Sequence, residues 1–447
     1  MDDRPSDGSF PSAPPDDWPA TLPGRVESTG APGGPGRRSS PLTDALPVLA
    51  VAVAFALVIT LGLGWALGRE NRTVVRVEDT QDTTPPASSS VPTPTTTQPG
   101  LSSDFADLVA FVERARGRRF QTAPSIGGVS DTDFARTAAR QLDTIGSALD
   151  TAVARYEALG LVANGDWSTP LGARLGTRPA LLDVAQSRVV VRNVALLRDD
   201  AYDRADVVRQ LARLLDAQVF RLAAPMASDI GDEATFARKA LLAGSAERIV
   251  GAYEQTLTAP ERSALAGRRN AVTSALGSVA NASLLTVDAF PTTLGTPLVE
   301  GLVAARGVSV LDAAFGAPPR QSAGMLAGSL AAGPAPRAVS APLASGPLLA
   351  QGSFGAADLA LLLGLRTAAT AAPIGTHWGG ARYVVWRGST RRPCIRIRLV
   401  GRDPAGTAFL ASAVSTWARA KQATVEEAPE PGSPDGHGVL QITRCVA

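Results

Sequence analysis

Residues Ala45–Gly68, ALPVLAVAVAFALVITLGLGWALG, run for 24 residues without a charge. A helix of that length crosses a bilayer. The run has no polar face that would seat it in a soluble core, and it is too long and too far from the first residue for a cleaved signal peptide. The expected span divides the chain. Met1–Asp44 is rich in Pro, Gly, Ser and Asp, buries too little apolar surface to offset chain entropy, and is expected to be disordered. Residues 69–103 hold TTPPASSSVPTPTTTQPG, the composition of a Ser/Thr/Pro stalk.

Charge does not orient the span. Arg25, Arg37 and Arg38 precede it, and Arg69, Arg72 and Arg76 follow it. The stalk and the two cysteines favour an oxidising exterior for everything after the span, leaving Met1–Asp44 in the cytoplasm. The net charge of +2 and the lack of a basic run argue against nucleic acid as a partner. Lys239 and Lys421 are the only lysines, a bias that, with abundant alanine, resembles proteins of high-GC bacteria.

Beyond the stalk the chain is expected to fold as an α-rich α+β protein. Helical spacing runs through DFADLVAFVERARG and through DTDFARTAARQLDTIGSALDTAVARYEALGLV, the latter as one or two helices capped by Asp131 or Asp133. Ser187–Asn193 reads as a short strand. Helices are expected over Asp203–Arg221, Asp232–Gln255 and Pro260–Leu285, with a short one near Pro297–Ala304 and an apolar one over Phe354–Ala372. From residue 376 the order strand, strand, helix, strand, strand predicts a small α/β region after a helical body over residues 104–375. If CIRIRLV and VLQITRC pair antiparallel, Cys394 faces Cys445, within disulfide reach for a suitable pair. The bridge would stabilise by roughly 3–4 kcal/mol; two reduced cysteines are the alternative.

The stretch VVRQLARLLDAQVF, Val207–Phe220, carries the functional question. By periodicity alone it is an amphipathic surface helix, with Val207, Val208, Leu211, Leu214, Leu215 and Val219 on one face and an Arg213–Asp216 pair opposite. Arg209 and Arg213, however, stand four apart, as the two histidines of H-E-x-x-H do.

In that register the helix resembles the H-E-L-T-H-A-L-Q-D-Q-H-F helix of a family of membrane-anchored or secreted high-GC bacterial proteins with a zincin-like metallopeptidase core. Leu211, Leu215, Gln218 and Phe220 keep the pattern. LLDVAQSRVVVRN, ARKALLAGSAERIV, the stretch from Asp288 to Leu326 and AAPIGTHWGGARYVVWR resemble further segments of that family, in order. The resemblance implies a zincin-like, mostly helical core with a short sheet, in which RVVVR is an edge strand beside the helix. It also implies a site from which the chemistry has gone. Arg209 and Arg213 occupy the histidine positions, Gln210 that of the general base and Ala243 that of the third ligand. Arginine stays protonated and offers zinc no lone pair, a catalytic zinc needs three donor ligands, and Gln210 cannot take a proton from metal-bound water.

No other chemistry is visible. His377 and His437, the only histidines, lack companions at ligand spacing, and there is no G-x-S-x-G or P-loop. The sequence therefore predicts no cofactor, no metal and no catalytic residue. It points to a single-pass envelope protein whose inactive metallopeptidase-like domain binds or scaffolds, with an envelope protein or an anionic ligand as partner. The alternatives are a hydrolase with relocated chemistry and a purely structural envelope protein.

Overall fold

Helix α1, Leu101–Arg116, opens the structure, a computed structural model that describes residues 101–183, 186–192, 200–222, 233–330, 335–429 and 438–446. The expected tail, the span Ala45–Gly68, nearly all of the stalk, and His437 lie outside the described residues. Among the described residues no helix is long and apolar enough to cross a membrane.

Helix α2 is one helix, Asp131–Ala158. Its cap is Ser130, not Asp131 or Asp133: the Ser130 hydroxyl accepts from the Asp133 amide, and both aspartates fall in the first turn, where the helix dipole favours them. Helix α3, Ser168–Thr177, leads into β2, Ala180–Asp183. With β1, Ser125–Gly128, and β3, Arg188–Val191, it forms a three-stranded sheet in the order β1-β3-β2. β3 runs parallel to β1 and antiparallel to β2. RVVV is therefore the central strand, against the expectation of an edge. Val189, Val190 and Val191 are all fully buried, and a strand apolar on both faces belongs inside a sheet.

Helix α4, Ala201–Phe220, packs on this sheet and against α5, Glu233–Thr256. The stretch expected as one helix from Pro260 to Leu285 is two, α6 over Ala259–Gly277 and α7 over Ser283–Arg306. α7 runs through Pro291 and Pro297, where the sequence suggested a break and only a short helix. Each proline removes one ladder bond, and packing outweighs that loss. At the crossing, a Cβ on Gly295 would lie 2.0 Å from the Ala240 carbonyl oxygen and one on Gly244 2.5 Å from that of Gly295, so α5 and α7 touch backbone to backbone.

Helices α8, Ser309–Gly316, and α9, Ser322–Leu326, follow. The apolar stretch Phe354–Ala372 divides into α10, Ala356–Leu362, and α11, Ala368–His377. The second sheet combines β4, Leu348–Ser353; β5, Trp378–Arg387; β6, Pro393–Gly401; β7, Thr424–Pro429; and β8, Gly438–Cys445, in the antiparallel order β4-β5-β6-β8-β7. Between β6 and β7 lies α12, Pro404–Lys421.

The β6–β8 register sets Cys394 opposite Cys445, and the two sulfurs are bonded. Ile395, Ile397 and Leu399 of β6 face a core shared with α2, α10 and α12. On the other face Arg396 donates to the Leu343 carbonyl at 2.6 Å, holding the stretch before β4 across the sheet. The described residues make one compact unit, α-rich with two sheets.

Candidate functional site

Helix α4 is not a surface helix. Besides Val207, Val208, Leu211, Leu214 and Leu215 it buries Ala205, Ala212 and Ala217, and also Asp206, Gln210 and Asp216. Small alanines let neighbours approach on the sides the apolar stripe leaves open. The buried carboxylates then need partners, since an uncompensated buried charge is costly.

Asp216 finds its partner a hundred residues upstream. Arg116 Nε lies 2.7 Å from its Oδ1, and the Ser245 hydroxyl donates to its Oδ2 at 2.6 Å. The Arg116 guanidinium also sits over the rings of Phe220 and Phe315. Burial pushes the Asp216 carboxyl above the ordinary range, with Arg116 pulling the other way. The expected Arg213–Asp216 pair does not form, because Asp216 faces the interior.

Arg209 is held as firmly. Its Nε and Nη2 meet the two carboxylate oxygens of Glu247 at 2.5 and 3.2 Å, and its Nη1 donates to Asp206 Oδ1 at 2.6 Å. This two-pronged geometry is the strong form of the interaction. Burial disfavours the Arg209 charge, but Glu247 and then Asp206 outweigh it and bind the proton more tightly than in a free arginine. Glu247 is correspondingly held below the ordinary carboxyl range: burial opposes this, and Arg209 prevails.

Gln210 is buried, its amide 3.5 Å from Asp206 Oδ1. Asp206 Oδ2 accepts from the Ala180 amide at 3.3 Å, tying α4 to the start of β2. Ala243 is buried on α5. The α5 side chain that reaches Arg209 is Glu247, one turn further on. Sequence reasoning passed over Glu247, although a carboxylate four residues after a candidate ligand position lies on the same helical face.

A second residue passed over is Arg178, which ends α3 two residues before Ala180. Burial and repulsion from Arg174 lower its pKa to about 10; Asp206 acts against this, and Arg213 and Arg209 add to it. Arg174 itself pairs with Asp288. The Arg178 amide donates to the Leu175 carbonyl, its guanidinium makes no hydrogen bond or ion pair among the described residues, and the Arg213 Nε is buried without a partner.

A cavity of about 400 Å³ opens beside the Arg209–Glu247 pair, lined mainly by α5 and α7. Its other charged wall is Arg269, paired with Glu254. Among the described residues no three His, Cys, Asp or Glu side chains are grouped so as to hold a metal ion. His377 ends α11, its ring 4.4 Å from that of Phe409.

No family model, curated protein or solved structure matches this chain.

One serine–carboxylate pair elsewhere has the spacing of a nucleophile and its base. The Ser322 hydroxyl lies 2.8 Å from Glu233 Oε1. Burial, and then Asp358, push the Glu233 carboxyl up to about 7, a value suited to proton transfer. Yet Ser322 is completely buried and its oxygen also accepts from the Ala357 amide, so no substrate reaches it.

Proposed function

We propose that this chain is a single-pass, membrane-anchored, extracytoplasmic protein whose metallopeptidase-like domain is catalytically inactive and serves binding or scaffolding at the cell envelope. The observation that carries this reading is the state of Arg209. At the position where the resembled family has its first metal-binding histidine stands a guanidinium locked by Glu247 and Asp206. Such a group neither donates a lone pair nor leaves its carboxylates free to do so.

The pairing of α4 with α5 and the small sheet on α4 support the zincin-like part of the reading. The central place of β3 counts against it as first drawn, and the edge beside α4 falls to β2. The sealed Ser322–Glu233 pair weighs against relocated hydrolysis.

The test is metal analysis of the full chain purified in detergent. We expect no stoichiometric zinc and no rise in Tm on adding zinc; one tightly held zinc per chain overturns the reading. For topology, protease added to wall-stripped cells should release the domain after the stalk, and protection of residues 104–447 would reverse the orientation.

A further inference from the structure

We infer that the cavity beside the Arg209–Glu247 pair binds an uncharged, hydroxyl-rich ligand of the sugar class. This gives the binding reading above its ligand and rests on it.

The walls set the length of the site. Glu247 and Glu254 both line the cavity and stand two turns apart on α5, about 10 Å along its axis. Gly251 lies between them, and α7 adds the hydroxyls of Thr292, Thr293 and Thr296. Gly251, Glu254, Arg269, Thr292 and Thr296 are all partly exposed, so a solute reaches them from solvent.

Gly251 keeps the floor clear. A glycine inside a helix is destabilising relative to alanine. Gly244 on the same helix has a packing reason, the close crossing with α7. Gly251 has none: a Cβ there would meet nothing within 4 Å among the described residues. A longer side chain at this position would stand in the cavity.

The chemistry of the walls selects the ligand. Arg209 binds both oxygens of Glu247, and Arg269 binds both oxygens of Glu254. These charges cancel within the site, so an ionic ligand would bring a charge with no counter-charge to meet it. The two carboxylates are also too far apart to share a cation, whose oxygen ligands lie within about 2.6 Å of it.

Hydrogen-bonding capacity nevertheless remains. A carboxylate has about four acceptor sites and a guanidinium five N–H donors, more than these pairs use. The Thr293 and Thr296 hydroxyls donate to the Ala289 and Thr292 carbonyls, which leaves their oxygens as acceptors. A sugar hydroxyl both donates and accepts. One such group can therefore answer a carboxylate and its arginine together without parting them.

The experiment uses the full chain in a detergent without a sugar headgroup. Saturation-transfer NMR is recorded with glucose and with N-acetylglucosamine. It is repeated with two charged relatives, glucuronate and glucosamine, the latter at a pH where its amine is protonated. At least one neutral sugar should show transfer, and the charged relatives should bind at least about tenfold more weakly.

Two variants locate the site. Gly251→Leu fills the floor and should abolish transfer. It should melt no lower than wild type, since leucine is the better helix former and the position is open. Thr292→Val with Thr296→Val keeps the shape of the wall, removes two hydroxyls and should weaken binding about tenfold. If Gly251→Leu does not fold, the threonine pair decides, and undiminished binding there overturns the site. No transfer to either neutral sugar, equal or tighter binding of a charged relative, or transfer that survives Gly251→Leu each overturns it too. So does transfer to an end-blocked alanine tripeptide in place of the sugars, which would mark a peptide groove. A zinc-free chain that binds no sugar sinks this inference alone, whereas bound zinc sinks the reading beneath it.

Discussion

Two interior charge clusters in this molecule are mirror images, and they resolve their imbalance differently. Where Arg174, Arg178, Arg209 and Arg213 repel one another beside α4, four guanidiniums face the three carboxylates of Asp206, Glu247 and Asp288. Around α10, the carboxylates of Asp358 and Glu233 outnumber the guanidinium of Arg155, which lies 3.3 Å from Asp358 and stacks over Tyr156 and Tyr383. The acidic cluster has an internal remedy: Glu233 can take a proton on Oε2 while its Oε1 still accepts from the Ser322 amide and hydroxyl. The basic cluster has none, because arginine does not deprotonate. An excess of acid in a protein interior is settled by taking up a proton, while an excess of arginine is settled only by exposure to solvent or by a counter-charge.

The largest expected effect tests the acidic side. Arg155→Ala strands Asp358 and Glu233 without their cation and should cost about 3–5 kcal/mol in urea unfolding, as for one partner of a buried pair. A loss no larger than that of Arg178→Gln would erase the contrast. The disulfide supplies an outside reference. Cys394→Ser with Cys445→Ser closes no loop and should cost about 3–4 kcal/mol, with the dependence of stability on pH unchanged.

That dependence is the third test. Glu233 is raised from 4.5 to about 7, so between these values the folded chain binds more protons than the unfolded one. The contribution of Glu233 is therefore fully present below pH 4.5 and is lost as pH rises through 7, by about 3 kcal/mol in all. Asp203, raised to about 6 mainly by burial, adds in the same direction at lower pH. Glu233→Gln should flatten the slope above pH 6; an unchanged slope there would show that Glu233 is not the proton acceptor.

The smallest expected effect concerns the helix that carries Glu247. Gly295→Ala drives a methyl into the Ala240 carbonyl, pushes α5 off α7, and should cost about 1–3 kcal/mol. Because Glu247 moves with α5, the bidentate hold on Arg209 should loosen, seen as faster dicarbonyl modification of Arg209.

These tests probe features that the sequence displayed unequally. The β6–β8 pair of the C-terminal sheet was readable to the residue: alternation in CIRIRLV and VLQITRC sets a period of two, and antiparallel pairing puts Cys394 across from Cys445; strand β4, in a stretch rich in Gly, Pro and Ala, was not expected. Periodicity misjudged α4, because a helix lined with alanine and buried aspartate looks half exposed until its partners are known. Arg116 reaches Asp216 from a hundred residues away, and no local pattern announces that. The prolines of α7 misled for the same reason, since the contact that holds the helix together lies on α5. Of the candidate site, Arg209, Gln210 and Arg213 could be picked out from spacing. Glu247 needed only one further helical turn. Arg178, in the unremarkable GTRPALLD, came to the site through the chain's path alone.

The strand order β4-β5-β6-β8-β7 also bears on how the sheet is assembled. β7 precedes β8 in the chain but pairs with nothing else, so it has no place in the sheet until β8 has arrived. β8 docks on the β6 edge and carries antiparallel β7 on its far side. Closure of this half of the molecule is thus a late, non-local step, slowed by the loop entropy of joining strands across α12. Until it happens the β6 margin is an open edge, the moment at which a nascent chain is most exposed to pairing with another copy.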